Sequence, residues 1–100
     1  MEIKDFQELI RDCYYEKDAA RGRLGTFAWL VEEVGELSRD LRRGDREALA
    51  EEFADVFAWL ASLASLCDID LDAVVVKYAG GCPKCSASPC RCAEPESSFA

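Results

Sequence analysis

Gly44-Asp45 separates two long stretches of helical periodicity, and this punctuation leaves the chain few shapes to fold into. A glycine just past the last periodic residue ends a helix, and an aspartate directly after it caps the next. Upstream, Phe27, Leu30, Val31, Val34, Leu37 and Leu41 give an apolar face to residues 27–43, with Thr26 as the expected N-cap. Downstream, Leu49, Phe53, Val56, Leu60, Leu63, Ala64 and Cys67 line one face of a helix over about 46–67. So short a connection makes the two helices antiparallel neighbours.

The flanks add two further helical segments. Phe6, Leu9, Ile10, Cys13 and Tyr14 mark an amphipathic helix over roughly 4–19, interrupted by the glycines of RGRLG at 21–25. Asp70 is placed to cap a fourth segment through Tyr78, although Val74-Val75-Val76 also suits a strand, and Gly80-Gly81 stops it. The expected fold is all-α, an antiparallel bundle of about four helices. Residues 1–80 form the helical domain, 81–93 a cysteine-rich knuckle and 94–100 a disordered tail. The second half of the third helix is apolar on nearly every side, more than about 80 foldable residues can bury. Oligomerisation is therefore expected to complete the bundle as a homodimer or homotetramer, with Phe57, Leu60, Leu63 and Leu66 between chains.

Twenty acidic against twelve basic residues leave a net charge of −8, which excludes a general nucleic-acid binder. No stretch is long and apolar enough to span a bilayer, and the N-terminus has no apolar signal region, so a cytoplasmic chain with no membrane partner is expected. The six cysteines then read as thiols or metal ligands. The absence of histidine excludes a Ser-His-Asp triad, a Cys-His pair and a Glu-x-x-His di-iron site.

The acids are arranged symmetrically about Gly44. Glu36 and Glu52 lie eight residues before and after it, and Glu33 and Asp55 eleven. Folding the hairpin brings both pairs level, roughly 12–17 Å from the turn, beside the apolar stripes. Four carboxylates so close suit a hard divalent cation, Mg²⁺ by default. One such pair alone is more often a solvated helix face; two pairs mirrored across a turn favour the cation. Glu32 and Glu51 point away from the seam and are expected in solvent.

Glu33-x-x-Glu36, fifteen residues, then Glu52-x-x-Asp55 resembles the ExxE…ExxD signature of the MazG-like nucleoside triphosphate pyrophosphohydrolases, members of the all-α pyrophosphatase superfamily. The surrounding LVEEVGELSRDL and EEFADVFAWLASLA share the family's wording, and the resemblance covers roughly residues 5–80. It implies hydrolysis of a nucleoside triphosphate to monophosphate and pyrophosphate, dependent on Mg²⁺ (or Mn²⁺) held by Glu33, Glu36, Glu52 and Asp55. Glu33 is the first choice for the carboxylate that takes the proton, and Glu36 the second. Many members carry an asparagine toward the C-terminus that this chain lacks. The alternatives are a non-catalytic module that senses metal and binds protein, or a sister activity on phosphoribosyl-ATP.

Trp29 and Trp59 are each fifteen residues from Gly44, one turn beyond the outermost acids, where a nucleobase would lie if its phosphates sat on the metals. Core packing is the equal alternative. Lys17, Arg21, Arg23 and Lys77 are candidates for phosphate contact or for plain solvation. Cys82-x₂-Cys85-x₄-Cys90-x-Cys92 has a knuckle spacing that suits structural Zn²⁺, with free thiols, a redox pair or an iron–sulfur cluster as alternatives. Cys13 and Cys67 fall on apolar faces and are expected as buried thiols.

Overall fold

The computed structural model describes residues 1–94, and among them there are helices and turns but no strand. Helix α1 spans Ile3–Arg43, α2 spans Arg46–Leu66, and a short α3, Leu71–Val74, runs directly into a 3₁₀ turn, Val75–Tyr78. The all-α expectation holds, and the three valines are helical rather than extended. The six residues 95–100, most of the expected tail, lie outside the described part.

The hairpin turn is built as its residues dictate. Gly44 adopts φ 72° and donates its N–H to Asp40 O, and the Asp45 carboxylate accepts from the N–H groups of Glu47 and Ala48. Asp70 caps α3 in the same way, accepting from Asp72.

The interruption at RGRLG is narrower than its composition predicts. Only Gly22 leaves helical geometry (φ 85°, ψ 171°), a conformation that costs glycine little and any side chain a good deal, so the expected interruption is present but one residue wide, and α1 is two helical arms meeting at that break. The helix has already resumed by Thr26, which is not an N-cap. It is fully buried, its Oγ1 accepting from Arg21 Nη1 at 3.3 Å.

The part of α1 after Gly22 lies antiparallel to α2, and the part before it packs on the C-terminal half of α2. Ala61, Ser62, Ala64 and Ser65 are all buried, small residues that let both arms of α1 approach. Gln7 fastens the far end: its Nε2 donates to Ser65 Oγ and Ile69 O, and its Oε1 accepts from Leu71 N. Phe57, expected between chains, stacks on Phe6 at 4.9 Å and remains 40% exposed.

The apolar core is thin, with Ile10, Ala61 and Ala64 its only buried hydrophobic members among the described residues. Phe27, Val31, Val34 and Leu41 on α1, and Phe53, Phe57 and Leu60 on α2, are all exposed. Cys13, expected to be buried, is exposed too, because the helix turns that edge of its apolar face to solvent.

Candidate functional site

The seam between the two long helices coincides only in part with the apolar stripes that the hydrophobic residues mark, keeping Leu30, Leu37, Leu49, Val56 and Leu63. Besides the buried Ala61, Ser62, Ala64 and Ser65, the residues turned inward include on α1 Thr26, Leu30, Glu33, Leu37 and Asp40, and on α2 Leu49, Glu52, Val56, Trp59, Leu63 and Leu66. Both sets alternate steps of three and four, the spacing of a helix–helix seam. Glu33 and Glu52 thus occupy positions that packing alone would give to leucine.

Glu33, Glu52 and Asp55 each offer an oxygen, and the three oxygens lie within 4.8 Å of one another. Asp55 stands at the exposed edge, and the two glutamates are half-buried. Hydrogen bonding to Glu33, burial, and the negative charges of Glu33, Asp55 and Asp40 push the Glu52 carboxyl up to about 7. Its Oε2 is buried and accepts from no N–H or hydroxyl group among the described residues, leaving only the carboxyl of Glu33 with which to share a proton. A buried acceptor without a donor, beside two more carboxylates, fits a hard cation, and an all-oxygen donor set is the kind that Mg²⁺ and Mn²⁺ take.

Of the four acids marked by the sequence, Glu36 stands apart. It is paired with Arg39 at 3.2 Å on the surface. Asp40, which sequence reasoning missed, is buried on the seam and adds to the field at Glu52. Its signal was there to read: Asp40 follows Glu33 by seven, two turns along the same face. Glu32 and Glu51 are exposed, as expected.

Next to the acids is a cavity of about 310 Å³, to which Asp55, Trp59, Tyr14, Lys17, Asp18 and Arg21 contribute. Arg21 is held there from two sides, bonded to the buried Asp18 at 2.9 Å and lying 4.8 Å over the Trp59 ring. Trp29 and Trp59 come together at the end of the hairpin away from the turn, but they stack on each other, 5.8 Å between centroids and 11° between planes. A base between them would need about 7 Å, two stacking separations, so the rings as placed do not flank one. Lys77 lies over Tyr78 in the 3₁₀ turn, away from the acids, and Arg23 donates to Leu66 O at the end of α2.

Cys82, Cys85, Cys90 and Cys92 form a second group, their sulfurs within 4.8 Å of one another. Backbone N–H groups of Arg91 and Ala87 hold Cys85 down to about 6, whereas sharing protons with Cys90, Cys85 and Cys82 pushes Cys92 up to about 11.

A bent helical hairpin that turns carboxylates into its own seam defines an all-helical protein with a candidate cation site at a helix–helix junction. The model of the MazG nucleotide pyrophosphohydrolase domain matches residues 21–85, from the bend in α1 to the second cysteine of the knuckle, and the chain belongs to that family. No curated protein matches the chain. No helix among the described residues is long and apolar enough to cross a membrane.

Proposed function

We propose that the protein hydrolyses a nucleoside triphosphate to nucleoside monophosphate and pyrophosphate, with a divalent cation, Mg²⁺ or Mn²⁺, at Glu33, Glu52 and Asp55. The observation that carries this reading is the buried Glu52 oxygen among three converging carboxylates, in a chain of a pyrophosphohydrolase family. A cation at these oxygens would screen the triphosphate and acidify a nearby water. Glu33 then takes the proton as the water oxygen bonds to the α-phosphorus, and the bond from that phosphorus to the β-phosphate oxygen breaks. Glu36, one turn along from Glu33, is the fourth ligand in this reading. Its exposed pair with Arg39 contributes little and is readily exchanged.

The cavity beside Asp55 receives the nucleotide. Lys17 and Arg21 supply positive charge, and Trp59 and Tyr14 supply an aromatic wall for the base. The protein works as a homo-oligomer, because the exposed apolar stripes of α1 and α2 suit a second copy. A cytoplasmic setting, reducing and rich in nucleotides, agrees with its six free thiols.

The test is a panel of ribo- and deoxyribonucleoside triphosphates with Mg²⁺ or Mn²⁺, read by released pyrophosphate. At least one should be turned over. Glu33→Gln and Asp55→Asn should abolish the reaction while the helical circular dichroism stays intact. Orthophosphate as the product, or wild-type turnover by Asp55→Asn, would overturn the assignment. Metal binding without turnover of any nucleotide would favour a non-catalytic module instead.

A further inference from the structure

After the 3₁₀ turn the chain closes a small loop with almost nothing apolar to hold it. Ser86 N donates to Cys82 O at 2.7 Å, and Cys82 N to Ala87 O at 3.0 Å, folding residues 82–87 back on themselves. Gly81 makes room for the return: its φ is 98°, and a Cβ there would lie 3.0 Å from the Ala87 oxygen and 3.1 Å from its carbon. From Cys82 to Cys92 no residue is fully buried. Fixing each residue costs about 1–2 kcal/mol of backbone entropy, which two hydrogen bonds in water do not offset. A cross-link is needed.

The sulfurs say which. Cys82 and Cys92 lie 3.8 Å apart and Cys85 and Cys90 3.9 Å apart, while a disulfide requires about 2.05 Å. A metal bound to four sulfurs at about 2.3 Å in a tetrahedron sets their separation near 3.8 Å, because each edge is about 1.63 times the centre-to-corner distance. The whole set spans 4.8 Å, too tight to enclose a cluster of several irons. Arg91 N points at Cys85 Sγ and Cys92 N at Cys90 Sγ, both at 3.3 Å, so backbone N–H groups already serve two of the sulfurs as they serve metal-bound thiolates. Four thiolates around Zn²⁺ keep two negative charges, and the loop carries Lys84 and Arg91 to offset them.

We propose that Cys82, Cys85, Cys90 and Cys92 bind one Zn²⁺ in a closed tetrahedral site that folds the loop and takes no part in catalysis. Every coordination position is filled by protein, leaving none for a water or substrate. The family match stops at residue 85, so the zinc ties the last residues of the family domain to the segment beyond it. None of the four cysteines lines the cavity beside the acids. The two metal sites are therefore chemically separate, thiolate against carboxylate, and zinc is retained whether or not the chain hydrolyses nucleotides.

The experiment is elemental analysis of the full chain purified without chelator or added metal, with Co²⁺ as a spectroscopic substitute. About one Zn²⁺ per chain is expected, and Co²⁺ should give the intense visible bands of a tetrahedral thiolate site. Cys85→Ser and Cys90→Ser should each lose most of the zinc, and Cys13→Ser and Cys67→Ser none. A chelator acting on wild-type protein should raise amide exchange across residues 80–92 and leave the helical circular dichroism unchanged, a readout that does not depend on variants that fold. Iron in place of zinc, metal-free protein with all six thiols titrating, or full zinc retention by Cys90→Ser would overturn the proposal.

Discussion

Replacing Glu52 by Gln removes one negative charge from the seam, keeps the shape of the side chain, and should make the metal-free protein more stable. The folded-state pKa of Glu52 is raised from 4.5 to about 7, so between those values the folded protein binds the proton that the unfolded chain releases. Stability from this group is fully present below about pH 4.5 and is lost as pH rises through about 7. Each pKa unit is about 1.4 kcal/mol, and the whole shift would be roughly 3 kcal/mol in a dry site. Water reaches this one past Asp55, which reduces the effect to the order of 1 kcal/mol. For a domain of this size that is roughly 4–8 °C in Tm. The assay is thermal unfolding by circular dichroism at one protein concentration, at pH 5 and pH 8, with and without Mg²⁺. Glu52→Gln should melt above wild type at pH 8 without metal and level with it at pH 5. Mg²⁺ should then raise wild type, by about 2.7 kcal/mol at a hundred times its Kd, and raise the variant much less. A variant that melts lower than wild type at pH 8 without metal, or gains as much from Mg²⁺, would refute this account of the seam.

Trp59→Ala should weaken triphosphate binding by about 1–3 kcal/mol, the scale of a stacked base, without altering the metal requirement, as KM against kcat will show. Val31→Glu places a charge in the exposed stripe of α1 and should reduce the solution mass from an oligomer to a monomer in sedimentation; a wild-type chain that is already monomeric at micromolar concentration contradicts the stripe's role. With zinc bound, Cys82, Cys85, Cys90 and Cys92 should resist alkylation at pH 7 while the exposed Cys13 reacts, when labelled peptides are followed by mass spectrometry. A chelator should open all four to the reagent, and labelling of the four as fast as Cys13 before chelation would argue against the site.

The hairpin was legible because its signals are local. Gly44 and Asp45 act through backbone groups two to four residues away, and no distant contact has to be known to read them. The break was legible too, since RGRLG carries two glycines and α1 does divide there, but its width was not: only Gly22 leaves helical geometry, and Arg21 is bonded both to Asp18 before the break and to Thr26 after it. Counting residues outward from the turn set Glu33 level with Asp55 and Glu36 level with Glu52, and the structure gathers three of these four, Glu33, Glu52 and Asp55. What counting could not supply was rotation. Hydrophobicity centres the seam on Phe27, Leu30, Val31, Val34, Leu37 and Leu41, and the structure keeps Leu30 and Leu37 but turns the helix by less than the roughly 100° of one residue, so that Thr26, Glu33 and Asp40 face inward in place of Phe27, Val34 and Leu41. The same rotation puts Trp29 and Trp59 face to face and leaves Glu36 to Arg39.

That rotation also explains why half the residues are hydrophobic and so few are buried. A seam of Thr26, Glu33 and Asp40 against Glu52 is a poor core: it gains little from the hydrophobic effect, and its charges repel. Two things can restore it. A cation between the carboxylates turns their repulsion into attraction, and a second copy over Phe27, Val31 and Val34 buries the apolar surface that the seam does not use. Both act on adjoining faces of the same helix, since residues 27, 31 and 34 each lie next to an inward-facing position. A change that weakens the contact between copies should therefore also loosen Glu33 relative to Glu52, and metal affinity should fall with dilution into the range where the oligomer dissociates.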